Sequence, residues 1–406
     1  MNSRLKYLVV STSTCVMLLL VLGTVLGRSA STDRPYPQLG VYTEVLHRIK
    51  SEYVEEPDMK SVTLGALNGL LESIDPFASY LNADQYKDYL KNKDARKAGV
   101  GLVLAKKFGF VGIVGVVPGS PAAKAGLATN DMLETINGVA TRDMPLAYAK
   151  LLLEGDPGSG VEMTVVRVRR PEPQKIKLTR ADVTYPPVTS KMLADNIGYI
   201  DPQTLAPGKV HEVAAAVESL QRQGATKLIL DLRNCAIGDP EEGIALANLF
   251  LNKGEITYLQ GQKVPRKDFE AEASKDITNL PLVVITNRGT ADGSEIAAGA
   301  LMDDKRADVV GERTYGDASL RKALTMDDGG AIILSIAKYY SPDGKAIQDV
   351  GVTPETVLSE PESQVELDEN GEPIPETPDQ VEKNKQQQED PLLKKAIEIS
   401  NGHKAA

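Results

Sequence analysis

The stretch from Leu282 to Ala307, LVVITNRGTADGSEIAAGALMDDKRA, constrains this chain more than any other. It opens on Leu282-Val283-Val284-Ile285, short, apolar and β-branched as a buried strand must be. It turns through Asn287-Arg288-Gly289 and runs on as a small-residue helix from about Ser294, a serine placed to cap that helix. A strand that turns directly into a helix exposes a few side chains at the mouth of a sheet, where the first helical amides stabilise negative charge. Many hydrolases hold a nucleophile there. Further strands are expected over Asn196–Ile200, Leu228–Asn234 and Ala331–Tyr339, alternating with helices over Val210–Arg222, Ile244–Leu251 and Ser294–Met302, the pattern of an α/β layer.

This stretch resembles the nucleophile segment of the C-terminal processing, or tail-specific, serine proteases, N-x-G-[ST]-A-S-A-S-E-I-x-A-G-A-L. Asn287, Gly289, Thr290, Ala291, Ser294, Glu295, Ile296, Ala298, Gly299, Ala300 and Leu301 match it without a gap. The resemblance puts Asp292 at the nucleophile position. A second family segment, T-[FY]-G-K-G-x-V-Q, reads here Thr314-Tyr315-Gly316-Asp317-Ala318-Ser319-Leu320-Arg321. It puts Asp317 at the position of the general-base lysine and Arg321 at that of the glutamine orienting it. The strand Leu228–Asn234 resembles the start of the family's D-L-R-N-N-P-G-G and continues as Cys235-Ala236-Ile237-Gly238, so Ile237 stands where the family has its oxyanion glycine. A donor aimed at a developing oxyanion needs a backbone free to make an unusual turn, and isoleucine restricts that freedom. The resemblance therefore implies a catalytically degenerate member with no intact catalytic residue.

No other residue restores a catalytic set. Ser319 lacks a lysine in a base position, Lys305 and Lys322 read as solvated, and His47, His211 and His403 fall in a helical cap, a surface helix and the tail. If Asp292 and Asp317 occupy touching positions, one carboxyl stays protonated unless a cation intervenes, and Arg321 is the obvious cation. A divalent ion would want more oxygen ligands than this motif supplies, so neither metal nor cofactor is expected.

Residues 97–182 resemble a PDZ domain: Gly99-Val100-Gly101-Leu102-Val103-Leu104, then Val116-Val117-Pro118-Gly119-Ser120-Pro121-Ala122-Ala123-Lys124-Ala125-Gly126-Leu127, then Asn130-Asp131 and Ile136-Asn137-Gly138, arriving in order. A Gly-x-Gly loop leaves backbone N–H groups free for a terminal carboxylate, and the strand after it accepts an extended peptide. Val100, Gly101, Leu102 and Val103 are the expected peptide-binding residues. The competing reading is a PDZ fold that only packs against the core.

Arg4 and Lys6 precede an apolar run from Leu8 to about Gly27, long enough to cross a bilayer with the bulk of the chain exported. Gly27-Arg28-Ser29-Ala30 is a poor cleavage site, so residues 1–30 read as a signal anchor rather than a cleaved signal, with the rest in the periplasm or another extracytoplasmic space. Cys15 lies inside that run and cannot pair with Cys235, which reads as a small buried hydrophobe. Residues 38–95 form a helical segment with Val41, Val45, Ile49 and Tyr53 at four-residue steps, and its resemblance to the family's N-terminal segment raises a homodimer. Residues 183–357 are the protease-like core. Residues 358–390, rich in Glu, Gln and Pro, read as a disordered acidic linker before a short helix, 391–401, that would dock back. A net charge of −10 over 406 residues argues against nucleic acid as a partner. The resemblance thus implies a membrane-anchored α/β protease core with an inserted PDZ domain. It would bind peptide or protein C-termini as a regulator or scaffold beside an active relative; the alternative is a working serine-type endopeptidase with a rearranged centre.

Overall fold

The computed structural model describes residues 12–14, 17, 38–93, 98–107, 109–142, 144–167, 170–359 and 390–402. Most of the apolar run before Gly27, Cys15 included, most of the acidic stretch 358–390, and His403 lie outside the described residues. Among the described residues no helix is long and apolar enough to cross a membrane. The chain divides into two compact units, residues 1–64 and 65–406.

The first unit contains α1 (Gln38–Glu52), which leaves Leu39, Val41 and Val45 exposed. After α2 (Met59–Glu72), Pro76 ends the helical pattern, and the stretch expected to be wholly helical contains a strand, β1 (Ser79–Leu81), before α3 (Ala83–Lys93). The cause is tertiary pairing: β1 lies antiparallel on a distant strand, with Ser79 opposite Ile333. The buried Asp75 carboxylate fixes the turn before it by accepting from the Phe77 amide at 2.9 Å and the Ser335 amide at 3.1 Å.

The PDZ part follows as β2 (Leu102–Lys107), β3 (Phe110–Val116), α4 (Pro121–Lys124), β4 (Met132–Ile136), β5 (Val139–Ala140), α5 (Leu146–Leu153), β6 (Gly160–Arg167) and β7 (Arg170–Thr179). These strands form one six-stranded sheet in the order β2-β3-β4-β6-β7, with β5 on β4, so β2 is an edge strand. Alternating burial along β6 fills its core with Val161, Met163 and Val165.

The remaining part builds two sheets. Strands β8 (Thr189–Met192), β9 (Ile197–Asp201) and, after α6 (Lys209–Arg222), β10 (Lys227–Asp231) come first. Then follow α7 (Pro240–Asn248), β11 (Glu255–Gln260), β12 (Lys267–Glu270), β13 (Leu282–Thr286), α8 (Gly293–Asp303), β14 (Ala307–Gly311), β15 (Ser319–Thr325), β16 (Ala331–Tyr340) and β17 (Thr356–Val357). One sheet runs β17-β14-β13-β10-β9-β8 and is parallel except at β8. Its central strand β13 is buried at every position, as a strand covered on both faces must be. The strand expected over Ala331–Tyr339 does not join this layer. It is β16, the centre of a separate antiparallel sheet, β1-β16-β11-β12 with β15, and its alternating burial pattern is that of a sheet with one wet face.

A last helix, α9 (Pro391–Gly402), docks Leu392 and Ala396 against Ile197, Ile229, Val283, Ile285 and Val310 of the parallel sheet. Arg233 pins its start, donating to the Asp390 carboxylate at 3.0 and 2.7 Å.

Candidate functional site

The parallel sheet positions the first part of the site at the carboxyl ends of β10 and β13, where open α/β sheets place their ligands. The chain leaving β10 and the turn leaving β13 are laced together. Asn287 Oδ1 accepts from the Asn234 amide at 2.9 Å, Asn287 Nδ2 donates to Asn234 Oδ1 at 3.2 Å, and Thr290 Oγ1 donates to the Leu232 carbonyl at 2.8 Å. Gly289 is required here, because a Cβ would sit 2.8 Å from Asn234 Oδ1 and 3.0 Å from its Cα.

The turn delivers Asp292 in a conformation that side chains rarely adopt, φ 57° and ψ −128°. Its strain is held by Glu295, one turn into α8 and wholly buried. The Glu295 carboxylate accepts from the Asp292 amide at 3.1 Å, the Gly316 amide at 2.7 Å, the Asp317 amide at 2.8 Å and the Thr314 hydroxyl. One buried carboxylate therefore fastens the turn after β13 to the loop before β15. Burial pushes its pKa up to about 7, while these hydrogen bonds pull it down.

The clamp brings Asp292 and Asp317 into one pocket. Arg321 forms an ion pair with Asp317, lies 4.2 Å from the centroid of the Phe77 ring and keeps a buried Nε without an acceptor among the described residues. Burial raises the Asp292 carboxyl well above the usual range, and the Asp317 charge adds to that, against a smaller opposing pull from Arg321. The pair is thus one buried carboxyl whose proton is favoured by its surroundings beside a second carboxyl that pairs with Arg321. Ser294 is not the cap of α8; Asp292 occupies that place because the left-handed turn sits one residue earlier than the glycine. The Ser294 hydroxyl is buried beside the Cys235 thiol. Ile237 keeps a negative φ, and its carbonyl accepts from the Leu205 amide at 2.7 Å. Burial pushes the Cys235 thiol up to about 12. His47, His211, Lys305 and Lys322 are exposed. Among the described residues no group of His, Cys, Asp and Glu is arranged to hold a metal ion.

The second part is a groove of about 450 Å³ between β2 and α5, lined by Val100, Gly101, Leu102, Val103, Leu153 and, from the protease-like part, Ile237. The free edge of β2 faces it. Gly101 takes φ +81°, and a Cβ there would lie 2.3 Å from Ser120 Cβ. The Val100 carbonyl accepts from the Ala122 amide and the Gly101 carbonyl from the Val117 amide, each at 2.9 Å. The Val100 and Gly101 amides themselves donate to no acceptor among the described residues. Buried amides without partners are uncommon and mark a place for an external acceptor. The groove and the acidic pocket adjoin: Ala236, next to Ile237, and Ala291, next to Asp292, both pack into the PDZ core.

Sequence reasoning passed over two residues. Glu295 had been read only as a motif match; a single acid in an otherwise small, apolar helix was the available signal. Lys150, on the apolar helix LAYAKLLL, lines both the groove and a cavity of about 310 Å³ on the other side of α5 that also holds Arg321 and Phe77. Its side chain reaches water through these openings and makes no hydrogen bond or ion pair among the described residues. Dense protein around it pushes its pKa down, against the pull of Asp317.

Known proteins share this architecture. The profile of peptidase family S41 matches residues 196–358, and that of the PDZ domain matches residues 112–167. The carboxy-terminal-processing protease of Bartonella bacilliformis is 31% identical over 347 residues, spanning 83% of this chain and 79% of that protein. The carboxy-terminal processing protease CtpA of Bacillus subtilis is 31% identical over 341 residues, spanning 82% and 72%. Among solved structures, the photosystem II D1 C-terminal processing protease superposes with a TM-score of 0.65 at 26% identity, covering 80% of this chain and 94% of that one. With a PDZ groove set beside an S41 core along most of its length, this chain belongs to the carboxy-terminal processing protease family.

Proposed function

We propose that this chain is a pseudoprotease of its family: it binds peptide or protein C-termini in the PDZ groove and regulates or scaffolds active relatives without cleaving. The observation that carries this reading is the acidic pocket. The strained turn and its Glu295 clamp are kept, yet the two positions they bring together hold Asp292 and Asp317. Arg321 neutralises the second. Two carboxyl side chains, one of them paired with Arg321, offer neither the alcohol nor the free amine of a serine-lysine pair. The groove keeps what binding needs, with unpartnered amides beside an edge strand.

The same proposal places the chain in the cell envelope, anchored by the apolar run ending near Gly27, and includes a homodimer through the N-terminal helices. The exposed Leu39, Val41 and Val45 of α1 fit such a contact. An active endopeptidase is the second reading, favoured by the names of the relatives above and by the retained strained turn. The test is to incubate the full-length chain with an unstructured protein ending in small apolar residues and follow its mass. The parent should cleave nothing, and the Asp292→Ser/Asp317→Lys variant should gain cleavage. Cleavage by the parent that Asp292→Ala abolishes would overturn the proposal.

A further inference from the structure

The groove has a direction fixed at both ends. At one end the Ala98 and Gly155 backbones exchange hydrogen bonds of 3.1 and 3.0 Å, tying the start of the Gly99–Gly101 loop to the residue just past α5. At the other, Lys106 Nζ donates to the Met144 carbonyl at 3.0 Å, tying the far end of β2 to the start of α5. Strand β2 and helix α5 therefore run antiparallel. A terminal carboxylate on the Val100 and Gly101 amides lies at the C-terminal end of α5, and the peptide leads back toward Leu146.

Leu153 and Val117 line the carboxylate end with apolar surface. Lys150 is three residues earlier on the same helix face, about 4.5 Å back along the axis. An extended peptide rises about 3.4 Å per residue and presents alternate side chains to one face, so the residue two before the last faces α5 about 6.8 Å from the end. The lysine stem spans the difference. On the other side of α5, Asp317 is already paired with Arg321, and the Lys150 ammonium, though attracted by Asp317 and Glu154, makes no hydrogen bond or ion pair among the described residues and lines the groove.

Building on the groove reading above, we infer that this PDZ groove selects C-termini that end in an apolar residue and carry an acidic side chain two positions earlier, which Lys150 receives. Glu154 and Asp182 also line the groove, so a basic residue at that position of the peptide would meet Lys150 directly and gain only peripheral attraction.

The experiment is fluorescence anisotropy of the full-length chain with labelled ten-residue peptides that end in valine and differ only in carrying Glu, Gln or Lys two residues before the end. A fourth peptide repeats the Glu sequence with an amidated terminus. The parent should bind the Glu peptide about five- to tenfold tighter than the Gln peptide, the scale of a partly shielded ion pair, and the Lys peptide weakest. Lys150→Met should remove the difference, and Lys150→Glu should invert the order of the Glu and Lys peptides. Equal binding of Glu and Gln peptides, with amidation still abolishing binding, would overturn this inference while leaving the groove reading intact. Binding that ignores amidation, or no binding of any peptide, would overturn the groove reading and this inference with it.

Discussion

The acidic pocket and the PDZ groove lie side by side, and their polar groups are disposed in opposite ways. In the pocket the backbone donors are used up: the Asp292, Gly316 and Asp317 amides all point at Glu295, and Arg321 pairs with Asp317, leaving its Nε as a buried side-chain donor without an acceptor among the described residues. In the groove the Val100 and Gly101 amides and the Lys150 ammonium have no partner among the described residues. A folded chain tolerates unpaired buried donors where an external group satisfies them. The difference teaches that strain and clamp are fold properties, whereas a binding edge is recognised by what it leaves unsatisfied.

The sharpest way to break the comparison is to cut the clamp. Glu295→Gln sets an amide nitrogen against backbone N–H donors that now have no acceptor, and should cost about 3–5 kcal/mol in guanidinium unfolding. A loss under about 1 kcal/mol would mean that the clamp does not hold the two loops. On the groove side, Gly101→Ala forces a Cβ into Ser120 at φ +81°. It should cost about 1–3 kcal/mol and abolish capture of free C-termini in a pull-down, while the acidic pocket keeps its stability contribution.

A smaller effect is expected from Arg321→Gln, which leaves the Asp317 carboxylate without its cation. Because this arginine is about a quarter exposed (26%), solvent screening limits the loss to about 1–2 kcal/mol, measured by the same unfolding. Asp292→Asn should have the mildest effect and the opposite sign. A carboxyl whose pKa is raised on folding holds its proton more tightly folded than unfolded. Its stability contribution is full below the unfolded pKa and is lost as pH rises through the folded one. The neutral asparagine removes that loss, so the variant should melt about 2–4 °C above the parent at pH 8 and level with it at pH 4. A variant that melts lower at pH 8 would mean that folding does not raise the Asp292 pKa.

How much of this was legible in the sequence varies with the range of the contacts involved. The buried strand β13 and the small-residue helix after it read directly from apolar runs, because their burial is local and continuous. The Gly-x-Gly loop and the strand after it were legible through the resemblance to a PDZ domain, while the edge position of β2 is set by sheet pairing. Strand β1 was not: Ser79–Leu81 is extended only because distant β16 pairs with it, Ser79 lying opposite Ile333 and Leu81 opposite Ala331. The cap of α8 was misread because Asp292 and Ser294 are equally good capping residues, and only the positive φ of Asp292 places the cap two residues earlier than Ser294. Nothing in the sequence set Lys150 apart from the other lysines. Its isolation between two cavities is a property of the folded surface alone.

The most direct test of the account is to hold one labelled peptide, ending in a free apolar residue, at saturation on the full-length chain and to take its intact mass before and after a day at neutral pH. The account predicts a peptide that is bound, released by a competitor with a free C-terminus, and of unchanged mass. A shortened peptide, with shortening lost in Asp292→Ala, would contradict it.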